Sequence, residues 1–302
     1  MSQPDLTPAM DAALENAPVR EARLPQGVIR YRELGTGEPI VLVHGLLVNG
    51  LLWREVAPRL ARDFRVIVPD LPLGSQELPM TDGTDLSPLG LASIIAGFIE
   101  ALDLDGVTLV GNDTGGAISQ LVAVHHPERL ARLVLTPCDA YENFLPPMFR
   151  PLQALARVPG AVFLVAQSLR PRPARRLPFA FGWLSKRGIP DDLSDAWLAP
   201  ALSSAAIRRE IASILKGISN RYTLQAAECF GEFDKPVLIA WAPEDRFFKL
   251  RYAERLAKAF PHARLERIDD SYTFVAIDQP VRTAELVAAF ASESLLATGS
   301  AA

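Results

Sequence analysis

The sequence has little cysteine and little histidine, with two cysteines and four histidines in a chain of 302 residues. Cys138 and Cys229 alone cannot form a framework of disulfides, which favours a reducing compartment. No apolar run approaches the ~18 residues that a membrane-spanning helix requires. The first twenty residues lack the basic and apolar regions of a secretory signal. We therefore expect a cytoplasmic protein without a membrane partner.

An excess of basic residues is also absent. Lys and Arg number 31 against 35 Asp and Glu, a net charge of −4, whereas nucleic-acid binding requires a basic footprint. The sequence has no HExxH motif and no pair of cysteines at ligand spacing. Its GNDTGG segment is not a G-x-G-x-x-G dinucleotide motif. We expect no nucleic-acid partner, no metal and no cofactor.

Short β-branched runs alternate with longer helical patterns along most of the chain. This alternation is typical of βα units in an α/β protein with a mostly parallel, doubly wound sheet. The predicted strands are 28–34, 40–45, 64–70, 107–111, 132–137, 236–242 and 263–268. The predicted helices lie near 51–61, 88–102, 115–126, 192–201, 205–217, 250–260 and 280–296.

The alternation stops in a stretch rich in Pro and Arg that lacks strong strand signals. We interpret this stretch as a helical cap inserted between two strands of one core; a second independent domain is the alternative. The expected divisions are a loose N-terminal segment 1–22, a core of 23–140 and 234–295, a cap of 141–233 and a disordered tail of 296–302.

The strongest chemical signal is VTLVGNDTGGAISQL, residues 107–121. A strand is followed by Asp113 on a tight turn, and Gly115 and Gly116 open a helix. The pattern G-x-D-x-G has the spacing of a nucleophile elbow with Asp in place of Ser. Small residues are needed there because the central residue is strained and flanking side chains would collide. A plain turn with Asp as N-cap is the alternative interpretation.

Several motifs in order extend this signal: VLVHG (41–45), VIVPDLPLG (66–74), LVGNDTGGA (109–117), HHPERLARLVL (125–135) and LIAWAPEDRFF (238–248). With these motifs the chain resembles the α/β-hydrolase superfamily, in its haloalkane dehalogenase and epoxide hydrolase branch. The resemblance implies an α/β-hydrolase fold with a helical cap and a small-molecule substrate.

The resemblance also implies roles for individual residues. Asp113 matches the carboxylate nucleophile, and the backbone N–H groups of Leu46 and Thr114 match the oxyanion hole. Asp245, in APED after a strand, matches the acid that orients a catalytic histidine. Asp139, in TPCDA, matches an alternative acid position. Each aspartate that follows a strand has an ordinary alternative as a loop or cap residue.

The catalytic histidine of the family has no counterpart here. Alignment of the segment DDSYTFVAIDQP on the usual D-x-G-H-F pattern puts Thr273 at the histidine position and Tyr272 at a usual glycine. A threonine hydroxyl is not a base at neutral pH, and loss of a general base typically costs about 10²–10⁴ in rate. Of the four histidines only His44 is expected near the catalytic edge of the sheet, where HG turns use it structurally.

Other departures bear on the substrate. Thr114 and Leu46 stand where dehalogenases commonly carry halide-stabilising donors, which does not favour dehalogenation. His44, Tyr141 and Tyr222 are candidate substrate contacts, the tyrosines as groups that polarise an oxygen, although buried tyrosines with satisfied hydroxyls are equally expected. The insertion carries arginines that suit an anionic group but also a solvated face: Arg170, Arg172, Arg175 and Arg176.

The sequence thus favours an enzyme of the hydrolase type that acts on a small or medium apolar molecule, with Asp113 as nucleophile. One alternative is a lyase, isomerase or cyclase that uses Asp113 as a base. Another is a catalytically silent small-molecule-binding protein on a hydrolase scaffold.

Overall fold

One sheet organises the described residues, 14–293, of a computed structural model. Within them, eight strands lie in the order β1-β2-β4-β3-β5-β6-β7-β8. β2 is antiparallel to β1 and β4, and the remaining neighbours are parallel. The strands are β1 (Arg20–Leu24), β2 (Gly27–Leu34), β3 (Pro39–Val43), β4 (Arg65–Asp70), β5 (Val107–Asp113), β6 (Leu130–Cys138), β7 (Val237–Trp241) and β8 (Ala263–Arg267).

All seven predicted strands are present, with bounds that differ by a few residues. The prediction of a loose segment 1–22 is wrong for residues 14–22, because β1 pairs with β2 and Leu14 is fully buried. The sequence REARL contains few apolar residues, so it does not by itself predict a strand. It forms one because it pairs with β2. Residues 1–13 and the predicted tail 296–302 lie outside the described residues.

Helices pack on the sheet and on one another. The core helices are α1 (Ala57–Leu60), α2 (Pro88–Ala101), α3 (Thr114–His125), α10 (Leu250–Ala259), α11 (Val275–Asp278) and α12 (Pro280–Ala291). α3 packs on β5 and β6, and α10 on β7 and β8. The single helix predicted for 51–61 is instead a 3₁₀ turn, Gly50–Trp53, followed by α1. Pro58 explains the break, since proline is tolerated only in the first turn of a helix.

The chain between β6 and β7, residues 139–236, is helical and forms the insertion; the predicted cap bounds, 141–233, stay a prediction. Because β6 and β7 are adjacent and parallel, the insertion leaves the sheet and returns to the neighbouring position. The pairs α4–α8, α5–α7, α5–α8 and α7–α8 pack together. The helices of the insertion are α4 (Arg150–Leu155), α5 (Ala161–Ser168), α6 (Arg172–Arg175), α7 (Asp191–Ser203), α8 (Ala205–Gly217) and α9 (Asn220–Glu228).

The parallel strands place the chemical groups. β3, β5, β6 and β7 are buried along most of their length, and their carboxyl ends lie at one edge of the sheet. Segments that follow such strands converge at that edge, which is where ligands bind in open α/β sheets. Among the described residues, no helix is long and apolar enough to cross a bilayer.

Candidate functional site

Asp113 lies on a strained turn between β5 and α3. Its backbone has φ 54° and ψ −132°, outside the ordinary regions for a residue with a side chain. A Cβ atom on Gly45 would lie 2.2 Å from Oδ2 of Asp113, and one on Gly115 would lie 2.1 Å from the carbonyl oxygen of His44. Only glycine allows the loop after β3 to approach this turn so closely.

That approach brings backbone donors to the Asp113 carboxylate. The N–H of Leu46 donates to Oδ2 at 3.1 Å, and the N–H of Thr114 also donates to the carboxylate. Burial nevertheless raises the pKa of Asp113 to about 7, and the charge of Asp245 adds to the increase. No ion pair to Asp113 forms within residues 14–293. The site therefore holds a carboxylate that titrates near neutrality.

Asp245 follows β7 and is fixed by three donors. The backbone N–H groups of Phe247 and Phe248 each donate to Oδ1 at 2.7 Å. The Thr273 hydroxyl donates to Oδ2 at 2.8 Å. Burial raises the pKa of Asp245 to about 6. The structure therefore brings together Asp245 and Thr273, the two residues that sequence alignment paired.

Asp139 follows β6 and is fully buried. The Thr114 hydroxyl donates to its Oδ2 at 3.2 Å, while Oδ1 is buried without a hydrogen-bond partner among the described residues. Burial, followed by the charge of Asp113, raises the pKa of Asp139 well above its ordinary range. Thr114 thus links Asp139 to Asp113.

The histidines do not supply a base at this edge. Nδ1 of His44 lies 2.9 Å from the Gly45 carbonyl oxygen, and Nε2 accepts from the Leu71 N–H at 2.9 Å. Burial lowers the pKa of His44 to about 4. Both ring nitrogens of His44 are therefore engaged by backbone groups of the neighbouring loops. His125 is in the last turn of α3, at the end remote from Asp113.

The tyrosines of the prediction also lie away from the cavity described below. Arg255 lies 3.8 Å from the centre of the Tyr141 ring, and the Tyr222 hydroxyl accepts from Arg221 at 2.6 Å. Tyr272 is partly buried, and its hydroxyl accepts from Arg246 at 3.0 Å. None of these tyrosines lines the cavity, nor does His44. Substrate contact through His44, Tyr141 and Tyr222 therefore stays a prediction, and the cavity does not support it.

A cavity of about 330 Å³ lies between the Asp113 turn and the helical insertion. Its wall is mostly apolar, and the side chains with a carboxyl or hydroxyl group that line it are those of Asp113, Thr114 and Ser168. No Lys or Arg contributes to the wall. The aromatic residues that line it are Phe149, Phe179, Phe181 and Trp197. This arrangement can hold a neutral apolar molecule against one carboxylate.

Sequence reasoning did not identify Asn112 as a site residue. Its Nδ2 donates to the Thr136 hydroxyl at 2.9 Å and to the carbonyl oxygen of Thr273 at 2.8 Å. It therefore ties the turn that carries Thr273 to the strand that carries Asp113. The sequence does place an amide side chain between Gly111 and Asp113, at the end of an apolar strand. A buried amide is normally hydrogen-bonded, so this position could have indicated a structural contact near Asp113. Nothing in the sequence distinguished the aromatic residues that line the cavity from those that pack in the core.

Comparison with known proteins agrees with this fold. A model of the α/β-hydrolase fold family matches residues 38–280, about four fifths of the chain. The chain belongs to the α/β-hydrolase family. Within that family it is similar to haloalkane dehalogenase 2 of Mycobacterium tuberculosis, at 29% identity over 273 residues, which cover 87% of this chain and 91% of the relative.

Two further family members show different kinds of similarity. The 2-hydroxy-6-oxo-2,4-heptadienoate hydrolase of Pseudomonas putida is 38% identical over 124 residues, 40% of this chain and 45% of the relative. The crystal structure of an α/β-hydrolase-fold protein from Burkholderia ambifaria has a TM-score of 0.74 at 24% identity, covering 89% of this chain and 96% of that chain. The structural similarity shows the fold. Both of the curated relatives named above are enzymes, which supports an enzyme here.

Proposed function

We propose that this α/β-hydrolase-family chain is a cofactor-independent enzyme in which Asp113 attacks an sp³ carbon of a small or medium apolar molecule. The observation that carries the proposal is the hydrogen bond from the Leu46 N–H to Oδ2 of Asp113, at the floor of an apolar cavity. The dehalogenase and epoxide hydrolase resemblance of the sequence supports the same chemistry.

This hydrogen bond gives the two carboxylate oxygens of Asp113 different roles. With Oδ2 held by the N–H group of Leu46, the other oxygen, Oδ1, is the one that forms a bond to carbon. The bond between that carbon and the leaving group breaks: a halide departs with the bonding electron pair, whereas an epoxide oxygen keeps the pair and takes a proton from water. Oδ2 then becomes the carbonyl oxygen of an alkyl ester. The Leu46 N–H would also stabilise the oxyanion that forms on Oδ2 if water added to Cγ.

The same geometry does not favour direct acyl transfer. A substrate carbonyl needs free donors for its developing oxyanion. Here Oδ2 of Asp113 already occupies the Leu46 donor. The absence of Lys and Arg from the cavity wall also disfavours a carboxylate substrate, because an anion would be buried without a partner.

The second chemical step lacks its usual base. His44 uses both ring nitrogens, and position 273 carries a threonine that donates to Asp245. We therefore expect formation of the ester to be faster than its hydrolysis, so that the covalent adduct accumulates. Asp245, whose pKa is raised to about 6 by burial, is the ionised carboxylate left to accept a proton from water.

Proton abstraction by Asp113 is a second candidate function. Burial raises its pKa to about 7, near the optimum for a general base at neutral pH. In this case Asp113 exchanges a proton with an acidic C–H group of the substrate and forms no covalent bond to it.

The test is intact-protein mass spectrometry after incubation with a series of 1-haloalkanes and terminal epoxides, with peptide mapping of any adduct. The proposal expects a gain equal to the alkyl group or the whole epoxide, located on Asp113. Asp113→Asn is the matched control, because it keeps size and shape and removes the nucleophile. Adducts elsewhere, equal labelling of the control, or no adduct with any electrophile would contradict it. Solvent deuterium exchange into a bound ketone without an adduct would favour the second candidate.

A further inference from the structure

One segment of the helical insertion has an unusual charge. Residues 143–190 contain eight basic residues and no acidic residue, whereas the rest of the chain carries a net charge of −12. The basic residues are Arg150, Arg157, Arg170, Arg172, Arg175, Arg176, Lys186 and Arg187. Five of the eight form ion pairs with acidic residues outside the segment, so the charges left to attract an anionic surface are those of Arg150, Arg157 and Arg170.

The same segment exposes large apolar side chains. Of the twelve large apolar residues that are exposed within the described residues, seven lie between positions 148 and 179. Leu164 is 68% exposed and Phe179 61%. The seven are Met148, Leu155, Val158, Phe163, Leu164, Leu177 and Phe179. We call these residues, with Arg150, Arg157 and Arg170, the insertion face. Four of the seven lie on or between α4 and α5, which both pack on α8, and apolar exposure concentrated in one region marks an interaction site more often than scattered exposure does.

The three arginines of the insertion face have no acidic partner in the part of the chain that the structure describes. All three are exposed, and Arg157 and Arg170 bond only to nearby oxygens of Gln153 and Gln167. In contrast, Arg172 and Arg176 pair with Asp191, and Arg175 is buried against Asp195. The sequence motif RPRPARR is therefore divided between intramolecular ion pairs and one charge, Arg170, that remains for a partner.

The insertion face adjoins the cavity. Leu155 and Phe179 are exposed and also line the cavity wall. Phe163 and Leu164 are exposed between Val162 and Val165, which line the wall from inside. The insertion face and the cavity wall therefore share Leu155 and Phe179, so the exposed apolar surface continues into the cavity that contains Asp113.

We propose that the insertion face binds peripherally to an anionic phospholipid bilayer. Its apolar side chains enter the boundary between headgroups and acyl chains, and Arg150, Arg157 and Arg170 bind lipid phosphates. Apolar residues flanked by arginines suit this boundary, where both kinds of group are satisfied at once. The proposal does not depend on the chemistry of Asp113.

A second copy of the chain is a poorer occupant of this face. A twofold dimer would bring two copies of the same basic segment together, and the resulting like charges would oppose association. The expectation of no membrane partner rested on the absence of a spanning run, which peripheral binding does not require. An anionic bilayer complements both the charge and the apolar surface.

The experiment is vesicle flotation of the full chain. Vesicles consist of phosphatidylcholine alone or of an equal mixture with phosphatidylglycerol, each at low and high salt. We expect binding to the mixed vesicles at low salt, little binding to phosphatidylcholine alone, and loss of binding at high salt. Equal binding to both lipids, or none to either, would overturn the proposal.

Two sets of variants locate the surface. The triple variant Arg150→Gln, Arg157→Gln, Arg170→Gln is expected to weaken binding about 100-fold, at roughly fivefold per arginine. Leu164→Ser, which does not alter the cavity wall, is expected to weaken it about tenfold. The matched controls are the double variant Lys216→Gln, Lys258→Gln, and Val281→Ser, an exposed apolar residue on α12. Circular dichroism verifies that each variant is folded.

Two outcomes contradict the assignment of this surface. The controls could weaken binding as much as the insertion-face variants, which would mean attraction without a defined site. Alternatively, light scattering could show that wild type is a dimer which Leu164→Ser dissociates while vesicle binding is unchanged, which would make the face a contact between copies. Lipid binding and adduct formation are measured separately, so failure of one leaves the other standing.

Discussion

The Thr273 hydroxyl donates to Oδ2 of Asp245 at 2.8 Å, while the carbonyl oxygen of the same residue accepts from Asn112 at 2.8 Å. Position 273 is thus fixed between the carboxylate that follows β7 and the strand that presents Asp113. An imidazole there would find an acid ready to orient one of its ring nitrogens. The proposed adduct chemistry makes this position the one at which a single substitution should change the outcome of the reaction.

Thr273→His is expected to convert a slow second step into turnover. With Asp245 as its partner, the imidazole supplies the missing base, and we expect breakdown of the Asp113 adduct to accelerate by about 10²–10⁴. The measurement is the lifetime of the adduct by mass spectrometry after excess electrophile is removed. The double variant Thr273→His, Asp245→Asn should lose most of the gain. An unchanged lifetime in a folded Thr273→His protein would contradict the prediction.

Formation of the adduct is expected to depend on pH through Asp113 itself. Its pKa is raised to about 7, and only the ionised carboxylate is a nucleophile. The labelling rate should therefore rise through pH 7 and level off above it. At pH 5.5 we expect it to be roughly 30-fold lower, because the ionised fraction falls tenfold per pH unit. Rates measured by intact mass from pH 5.5 to 9 test this, and a flat profile would exclude Asp113 as the titrating nucleophile.

Asp113→Asn is expected to stabilise the fold while it abolishes labelling. The pKa of the carboxyl is about 3.8 in the unfolded chain and about 7 in the folded protein. The folded state therefore holds more protons between these values, and wild-type stability falls as pH rises through this window. The variant avoids that cost, so its advantage should be small near pH 4 and full above pH 7.

The size of this effect is on the order of 2 kcal/mol, since each pKa unit corresponds to about 1.4 kcal/mol and water in the cavity reduces the full shift. For a chain of this size, it should appear as an increase in Tm of several degrees at pH 8. Thermal unfolding of both proteins at pH 5 and pH 8 is the measurement. If the variant is less stable than wild type at pH 8, the ionised Asp113 carboxylate does not lower the stability of the folded protein, and the prediction is wrong.

The sequence contained enough information for most of the fold because its signals were local. Seven strands and the chain order of the motifs could be predicted since buried parallel strands are continuous apolar runs. The turn at Asp113 was predictable because its glycines, Gly111 and Gly115, are required sterically: a Cβ atom at either position would collide with neighbouring atoms. β1 was missed because its pairing with β2, rather than its own pattern, makes it a strand.

Long-range relationships at the site were harder to predict. Alignment paired Asp245 with Thr273, but the role of Asn112 depends on contacts across 161 positions of sequence. His44 could be assigned a structural role from its motif, whereas Tyr141 and Tyr222 could not be separated from cavity residues. Whether an aromatic residue faces a cavity or the core depends on helix packing within the insertion, and composition does not determine that packing.

Gly45→Ala provides a steric test of the carboxylate geometry. The added Cβ would lie 2.2 Å from Oδ2 and 2.6 Å from Cβ of Asp113, so the carboxylate must move away from the Leu46 donor. Displacement by about 1 Å typically costs on the order of 10² in rate, and we expect labelling of Asp113 to fall by at least that much. The strain should also lower the free energy of unfolding by about 1–3 kcal/mol, which chemical denaturation measures. Gly231→Ala is the matched control, because a Cβ at that position meets no atom within 4 Å and should leave both quantities unchanged. If the folded Gly45→Ala protein labels at the wild-type rate, the carboxylate does not depend on the Leu46 N–H, and the division of roles between Oδ1 and Oδ2 is wrong.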